Sequence, residues 1–319
     1  MKRIQEQNDI PASVKRIKGI YAGEHVCDAP LKTSLGTCNK KAYYKVGCHI
    51  RCGTHSNQEP REVLPVNPRK KEIEEVEYAQ QAAEVQEAIQ RNKEAGRPGT
   101  VVLSKMQMMK KPTYRAGYLN VFPNYLDANR RGGLGLATLS PKAIGPVVHG
   151  QPGLPIAKNL ENFHQGNKVF EIEISKRGDI LPIFYATQLA MYNDARPHRH
   201  KESAKKRPKG TNKNRPICSM WVLPDGTRKK MSYVESRQFY CTFYERHVLA
   251  LPEFALLRQR IAEGTNVQLC GYDAYQPTQD LEQCYLDDMR PFGHELVLYC
   301  LLILSPENYP WKKHITQVF

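Results

Sequence analysis

The chain has 319 residues, 40% of them hydrophobic, and a formal net charge of +15. That length holds two domains, or one domain with a small module attached, and the apolar content is enough for a core. No stretch reaches the roughly 18 apolar residues of a membrane span, and the charged start Met1-Lys2-Arg3-Ile4-Gln5-Glu6 lacks the apolar run of a secretory signal. An intracellular protein with no membrane partner is therefore expected. The positive charge points to a polyanionic partner: nucleic acid, nucleotide phosphates or an acidic protein face.

Residues 1–20 are basic and short of large apolar groups, and read as a flexible arm. Residues 21–66 hold Cys27, Cys38, Cys48, Cys52 and His55, with His25 and His49 nearby. A segment this poor in large aliphatics can hardly bury a core and needs a staple. Structural zinc takes four thiolate or imidazole ligands in a tetrahedron. Cys52-Gly53-Thr54-His55 makes a close pair, and a hairpin through Ser34-Leu35-Gly36 brings Cys27 to Cys38. The expected ligands are Cys27, Cys38, Cys52 and His55, with Cys48 a spare able to replace one of them; coincidental clustering of reduced thiols is the alternative. The scattered Cys218, Cys241, Cys270, Cys284 and Cys300 read as buried free thiols.

Residues 67–99 contain a polar, strongly helix-forming run from Lys71 to Ala95 with no coherent apolar stripe, so an exposed linker helix ended by Gly96 and Pro98 is expected. Residues 100–319 form the main domain. Thr100 to Leu103 is β-prone, and residues 112–155 are loop with short extended pieces. A helix is expected around Glu161, then a strand from Val169 to Ile174. Residues 196–215 form a basic insert that reads as a solvated loop. Strand Ile217 to Leu223, turn Pro224-Asp225-Gly226-Thr227, helices Ser232 to Ala250 and Pro252 to Glu263, and strand Val267 to Cys270 follow. Glu295 to Leu304 is nearly all apolar, a buried strand or core helix. The fold class expected from this order is α+β.

The chemistry-bearing segment is Glu161-x3-Gln165-x2-Lys168, which a helix would place on one face. Cleaving an N-glycosidic bond needs a carboxylate near a cationic sugar carbon and groups for the leaving base and phosphates. Glu161 suits the carboxylate role, Gln165 a positioning amide, and Lys168 a phosphate or leaving-group contact; an ordinary surface Glu/Lys pair is the plainer alternative. His294 and Glu295 stand just ahead of the apolar run, where they line a pocket or cap the element. Arg237 stands near Tyr240 and Tyr244, where it holds a phosphate or pairs with Glu235 or Glu245.

Leu139-Ser140-Pro141, followed by Leu160-Glu161-Asn162-Phe163-His164-Gln165-Gly166-Asn167-Lys168, resembles the NADAR family, whose members open with Leu-Ser-Asn-Phe and continue with Glu-x3-Gln-x2-Lys. Leu256-Leu257, Gly264-Thr265 and Leu269 resemble the order of its C-terminal half. The resemblance implies an α-rich domain that cleaves N-glycosidic bonds, in phosphoribosylated riboflavin intermediates or in ADP-ribosylated bases or proteins. Here Pro141-Lys142 replaces the family's Asn-Phe. Cys270-Gly271-Tyr272-Asp273 stands where the family has a late Glu and a Trp-Gly pair, which makes Asp273 and Tyr272 the substitutes. The whole layout also resembles proteins of large nucleocytoplasmic DNA viruses, through Ala157 to Asn162, Pro197-His198-Arg199-His200-Lys201 and Pro291-Phe292-Gly293-His294-Glu295. That implies host cytoplasm or a virus factory, and a virion protein among the partners. The expected catalytic residues are thus Glu161, Asp273 and His294, and the expected substrate contacts Gln165, Lys168, Arg237 and Tyr272. The rival expectation is a non-enzymatic, zinc-binding viral structural or nucleic-acid-associated protein.

Overall fold

The computed structural model describes residues 21–22, 24–30, 38, 40–46, 48–52, 55, 62–65, 67–107, 111–125, 132–204, 215–277 and 280–315. The basic arm 1–20 and residues 205–214 of the basic insert lie outside the described residues. The chain divides into two compact units, Met1–Gln80 and Gln81–Phe319. The division falls inside helix α1 (Pro68–Glu94), rather than at either end of it. No helix among the described residues is long and apolar enough to cross a membrane.

In the first unit, β1 (Tyr44–Val46) pairs antiparallel with β2 (His49–Arg51) on one side and β3 (Glu62–Val63) on the other. These strands are two or three residues long, too short to hold together on ladder bonds alone.

The expectation of an exposed linker helix holds for the first half of α1 only. Val85, Ala88 and Asn92 are buried within the second unit. The Asn92 amide donates to the Gly264 carbonyl at 2.7 Å and to Asn266 Oδ1 at 3.1 Å. Two apolar residues and a hydrogen-bonded amide along the last turns are enough to dock a helix end, even without a continuous stripe.

The second unit mixes helices and sheets, as the α+β class requires. Its main sheet runs β4 (Val101–Lys105), β10 (Val267–Gly271), β5 (Leu119–Phe122), β6 (Leu134–Gly135), and every pairing in it is parallel. The central β10 is buried along its whole length, as a strand covered on both faces must be. Its one polar side chain, Gln268, donates to Thr113 O and Asn120 Oδ1, each at 2.9 Å. α8 (His294–Ile303) packs on β4 and β10 and against α5 (Tyr233–Val248). It settles the open reading of the last apolar run as a helix. Its residues are buried on nearly every side because sheet and helix enclose it.

A second, antiparallel sheet joins β7 (Lys168–Val169), β8 (Cys218–Val222) and β9 (Arg228–Met231). α2 (Leu160–Gly166) and α3 (Pro182–Asn193) pack on each other beside it. The expected strand from Val169 to Ile174 stops at Val169 and becomes a 3-10 turn over Glu171–Glu173. The reason is local: the Glu173 carboxylate turns back and accepts the Phe170 N–H at 2.9 Å. α4 (Lys201–Ala204), α6 (Pro252–Ala262), α7 (Leu281–Leu286) and α9 (Pro310–Lys313) complete the unit. Its core is aromatic, with Phe163, Tyr192, Phe243, Tyr244, Phe254, Tyr285 and Trp311 all fully buried.

Candidate functional site

In the first unit, Cys27, Cys38, Cys52 and His55 bring their ligand atoms within 4.8 Å of one another. The backbone arranges this with few bonds. Cys27 N donates to Lys40 O and Cys38 N to Ala29 O, each at 2.8 Å, which closes the loop between the two thiols. His55 N donates to Cys52 O at 3.0 Å, which turns the imidazole back toward the sulfur. His55 Nδ1 stands 3.4 Å from Cys27 Sγ and 3.6 Å from Cys52 Sγ. A tetrahedral ion with ordinary zinc bond lengths would set sulfur and nitrogen about 3.6 Å apart. The donor set therefore fits a metal ion. Cys48 is exposed and takes no part.

In the second unit the polar residues of Asn159 to Lys168 divide between scaffold and site. Asn159 caps α2, accepting the Asn162 N–H at 2.8 Å. Asn162 is wholly buried; its amide donates to Asp194 O and Arg196 O, and its oxygen accepts His198 N–H at 2.9 Å. Asn167 accepts from Gln188 and from the Tyr192 hydroxyl, both at 2.9 Å. What is left for chemistry is Glu161, His164, Gln165 and Lys168. The expected single helical face needs correcting, because α2 ends at Gly166 and Lys168 stands on β7. From β7, Lys168 still feels the charge of Glu161, which favours its ammonium form.

Glu161 is half-buried and accepts Gln165 Nε2 at 3.2 Å, while Gln165 Oε1 is buried with no hydrogen-bond partner among the described residues. Burial draws the Lys168 ammonium down to about 8, with Arg199 adding to the fall and Glu161 opposing it. Burial, then the charges of Lys168 and Arg237, hold His164 well below the usual imidazole range, so it is neutral. Its ring lies 4.6 Å from that of Tyr240. Burial and the negative charges of Glu161 and Glu295 push the Tyr240 phenol well up, so it keeps its proton. His164 and Tyr240 also line a cavity with Phe163, Met220, Trp221 and Phe239; it has room for about one water molecule.

Tyr240 connects this group to the carboxyl edge of the parallel sheet, the edge at which open α/β sheets take their ligands. Four segments meet there: Asn124 after β5, Ser140 beyond β6, Gly271-Tyr272-Asp273 at the end of β10, and Gly293-His294-Glu295 at the start of α8. Ser140 Oγ donates to Asn124 Oδ1 at 3.0 Å, and Asn124 Nδ2 donates to Glu295 Oε1 at 3.2 Å. Tyr244, whose hydroxyl is held on Leu139 O at 2.7 Å, has its ring 6.0 Å from that of His294.

The predicted residues thus fall into three sets. Glu161, Gln165 and Lys168 stand together. Asp273 and His294 stand together at the sheet edge, with Tyr240 between the two groups. Arg237 and Tyr272 do other work. Arg237 is 3% exposed and spends its guanidinium on the carbonyls of Tyr285, Asp287 and Arg290, over the Tyr233 ring; it pairs with neither Glu235 nor Glu245. Tyr272 is 43% exposed and accepts the Tyr125 hydroxyl at 2.9 Å. Sequence reasoning passed over Asn124; it weighed Glu295 as a pocket-lining or capping residue and Tyr240 as a neighbour of Arg237, without counting either among the expected site residues. The usable signal was a Gly two residues before an acid, in Gly271-Tyr272-Asp273 and Gly293-His294-Glu295, marking backbone that makes room for a carboxylate.

Comparison of the chain with protein-family models, curated proteins and solved structures finds no match.

Proposed function

We propose that the second unit hydrolyses an N-glycosidic bond in a nucleotide-like or ADP-ribosylated substrate, with Glu161 as the working carboxylate. One observation carries this reading: Glu161 is half-buried and braced by Gln165 Nε2 at 3.2 Å, and its charge raises the pKa of both Tyr240 and Lys168. In the reaction, Glu161 takes a proton from water as the water oxygen bonds to the anomeric carbon. The carbon–nitrogen bond breaks, its electron pair leaves with the base, and the base takes a proton from solvent, to which Glu161 later returns its own. Lys168, when cationic, faces the substrate's phosphate, and Asp273 and His294 bound the sugar from the sheet edge. The reading accords with the resemblance of Leu160 to Lys168 to the NADAR family.

In the first unit we assign a structural zinc to Cys27, Cys38, Cys52 and His55. Three thiolates and an imidazole form a closed, soft set suited to zinc and leave no position for substrate.

The test is Glu161→Gln in the full chain, offered ADP-ribosyl and phosphoribosyl compounds. Turnover is expected to fall by about 10²–10⁴-fold, with the melting temperature unchanged. Full activity in that variant removes Glu161 from the reaction. No turnover by the native protein, together with DNA binding that falls steeply with salt, favours the nucleic-acid-associated or virion-structural alternative.

A further inference from the structure

Glu295 is 2% exposed, and the fold makes room for its carboxylate. A β-carbon at residue 271 would collide with Glu295 Oε1. A β-carbon at residue 293 would stand 3.1 Å from Glu295 Oε2 and 3.2 Å from Asp273 Cβ. Two glycines thus hollow out the space in which the acids of Asp273 and Glu295 sit side by side. One oxygen of Glu295 is oriented by the Ser140–Asn124 relay. The other, Oε2, has no hydrogen-bond donor among the described residues. His294 Nδ1 lies 3.2 Å from Oε2, off the line of a hydrogen bond. The far nitrogen of His294, Nε2, is likewise buried and without a partner. A buried carboxylate oxygen left without a donor is costly, and the neighbouring acid cannot supply one unless it is protonated. What fits is a ligand bearing neutral donors close together, able to serve two carboxylates at once.

We infer that Glu295 and Asp273 form a pocket for a vicinal diol, the two ring hydroxyls of a ribose. An acid at the carboxyl end of a parallel strand meets ribose hydroxyls in the same way in dinucleotide-binding sheets. Hydroxyls donate to carboxylates without bringing charge. Glu295 is thereby a binding residue, and Asp273 shares that role. The inference deepens the glycosidase reading by naming the sugar, but it is tested by binding alone.

The experiment measures binding of ribose 5-phosphate and 2-deoxyribose 5-phosphate to the full chain by calorimetry. The native protein is expected to prefer the ribose form by about tenfold or more, since a site built around a hydroxyl is left unpaired without it. Glu295→Gln is expected to bring the two affinities within about threefold of each other. Equal affinities in the native protein, or no binding of either sugar, overturns the inference, and neither result needs a variant that folds. A Glu295→Gln protein that melts normally and keeps the full preference overturns it as well. Diol preference retained in Glu161→Gln without turnover supports this inference whatever the fate of the hydrolytic one. Hydrolysis without diol preference sinks this one alone.

Discussion

Lys168 concentrates the physics of the site in one side chain. Its pKa falls from the ordinary 10.5 to about 8 because the folded chain takes its ammonium out of water, with Glu161 repaying part of the loss. The sign of the consequence differs between folding and binding. Between about 8 and 10.5 the unfolded chain holds more protons at this position, so its contribution to stability rises with pH. A phosphate, by contrast, needs the charged form, which is present below about 8 and lost above it. Affinity for ribose 5-phosphate should therefore drop as pH climbs through about 8, while Lys168→Arg, whose guanidinium keeps its charge, holds its affinity to higher pH. Calorimetric titrations from about pH 7 to about pH 9.5 test this; binding that is flat over that range takes Lys168 out of the phosphate contact. Lys168 and Glu161 were readable from sequence because their types and spacing are local. Arg237 was misread because its partners are main-chain carbonyls of a loop far along the chain, which no spacing rule reveals.

At the scale of elements, α2 is too short to hold itself in place, and its surroundings fix it through buried amides. Gln151 donates to the Tyr192 hydroxyl at 3.2 Å and accepts Val222 N–H at 3.0 Å. Tyr192 in turn donates to Asn167, which ties the end of α2 to α3 and β8. The strap after α3 is fastened by Asn162 and by a buried His200–Glu173 contact of 3.2 Å. His200 accepts Glu202 N–H on its other nitrogen, so the start of the basic insert is held in place, contrary to its reading as a solvated loop. Tyr192→Phe keeps the ring and deletes the hydroxyl, leaving Gln151 Nε2 with no acceptor. A loss of about 1–3 kcal/mol is expected, seen as a lower urea midpoint at unchanged slope. A loss under about 0.5 kcal/mol would mean that the network relaxes around the gap. α5 and α6 were legible because their signals are local: Ser232 and Glu235 form a capping box at α5, and Gly264 stops the chain after α6; α3 was not anticipated. The polar richness of Asn159 to Lys168 was legible as unusual, but its division between scaffold and site depends on packing partners in α3 and β8.

For the whole molecule, the least legible feature was the parallel sheet. β5 and β6 are short pieces in a Gly- and Pro-rich stretch, and they become strands only because β10, from the other end of the unit, inserts between β4 and β5. Pairing of that kind has no local signature, and the carboxyl edge that gathers Asn124, Asp273 and Glu295 was invisible with it. The first unit presents the opposite case, for its cysteine spacing anticipated the cluster. Its buried cluster consists of Cys27, Ala29, Cys38 and Cys52, with Tyr21, Ala42 and Leu64 buried elsewhere in the unit. Three of the four residues of that cluster are would-be ligands, so among the described residues little apolar packing is left to hold the unit without an ion. In such a module the free energy of metal binding is the free energy of folding. The full chain should carry one zinc, and stripping it with a chelator should abolish amide-exchange protection at Cys27, Cys38 and residues 44–46 and 49–51 while residues 101–105 and 267–271 keep theirs. Metal analysis confirms the removal, and exchange mass spectrometry reads the protection. Protection that survives at Cys27 and Cys38 after the metal has gone would show that the short strands suffice, and that the thiols gather for some reason other than an ion.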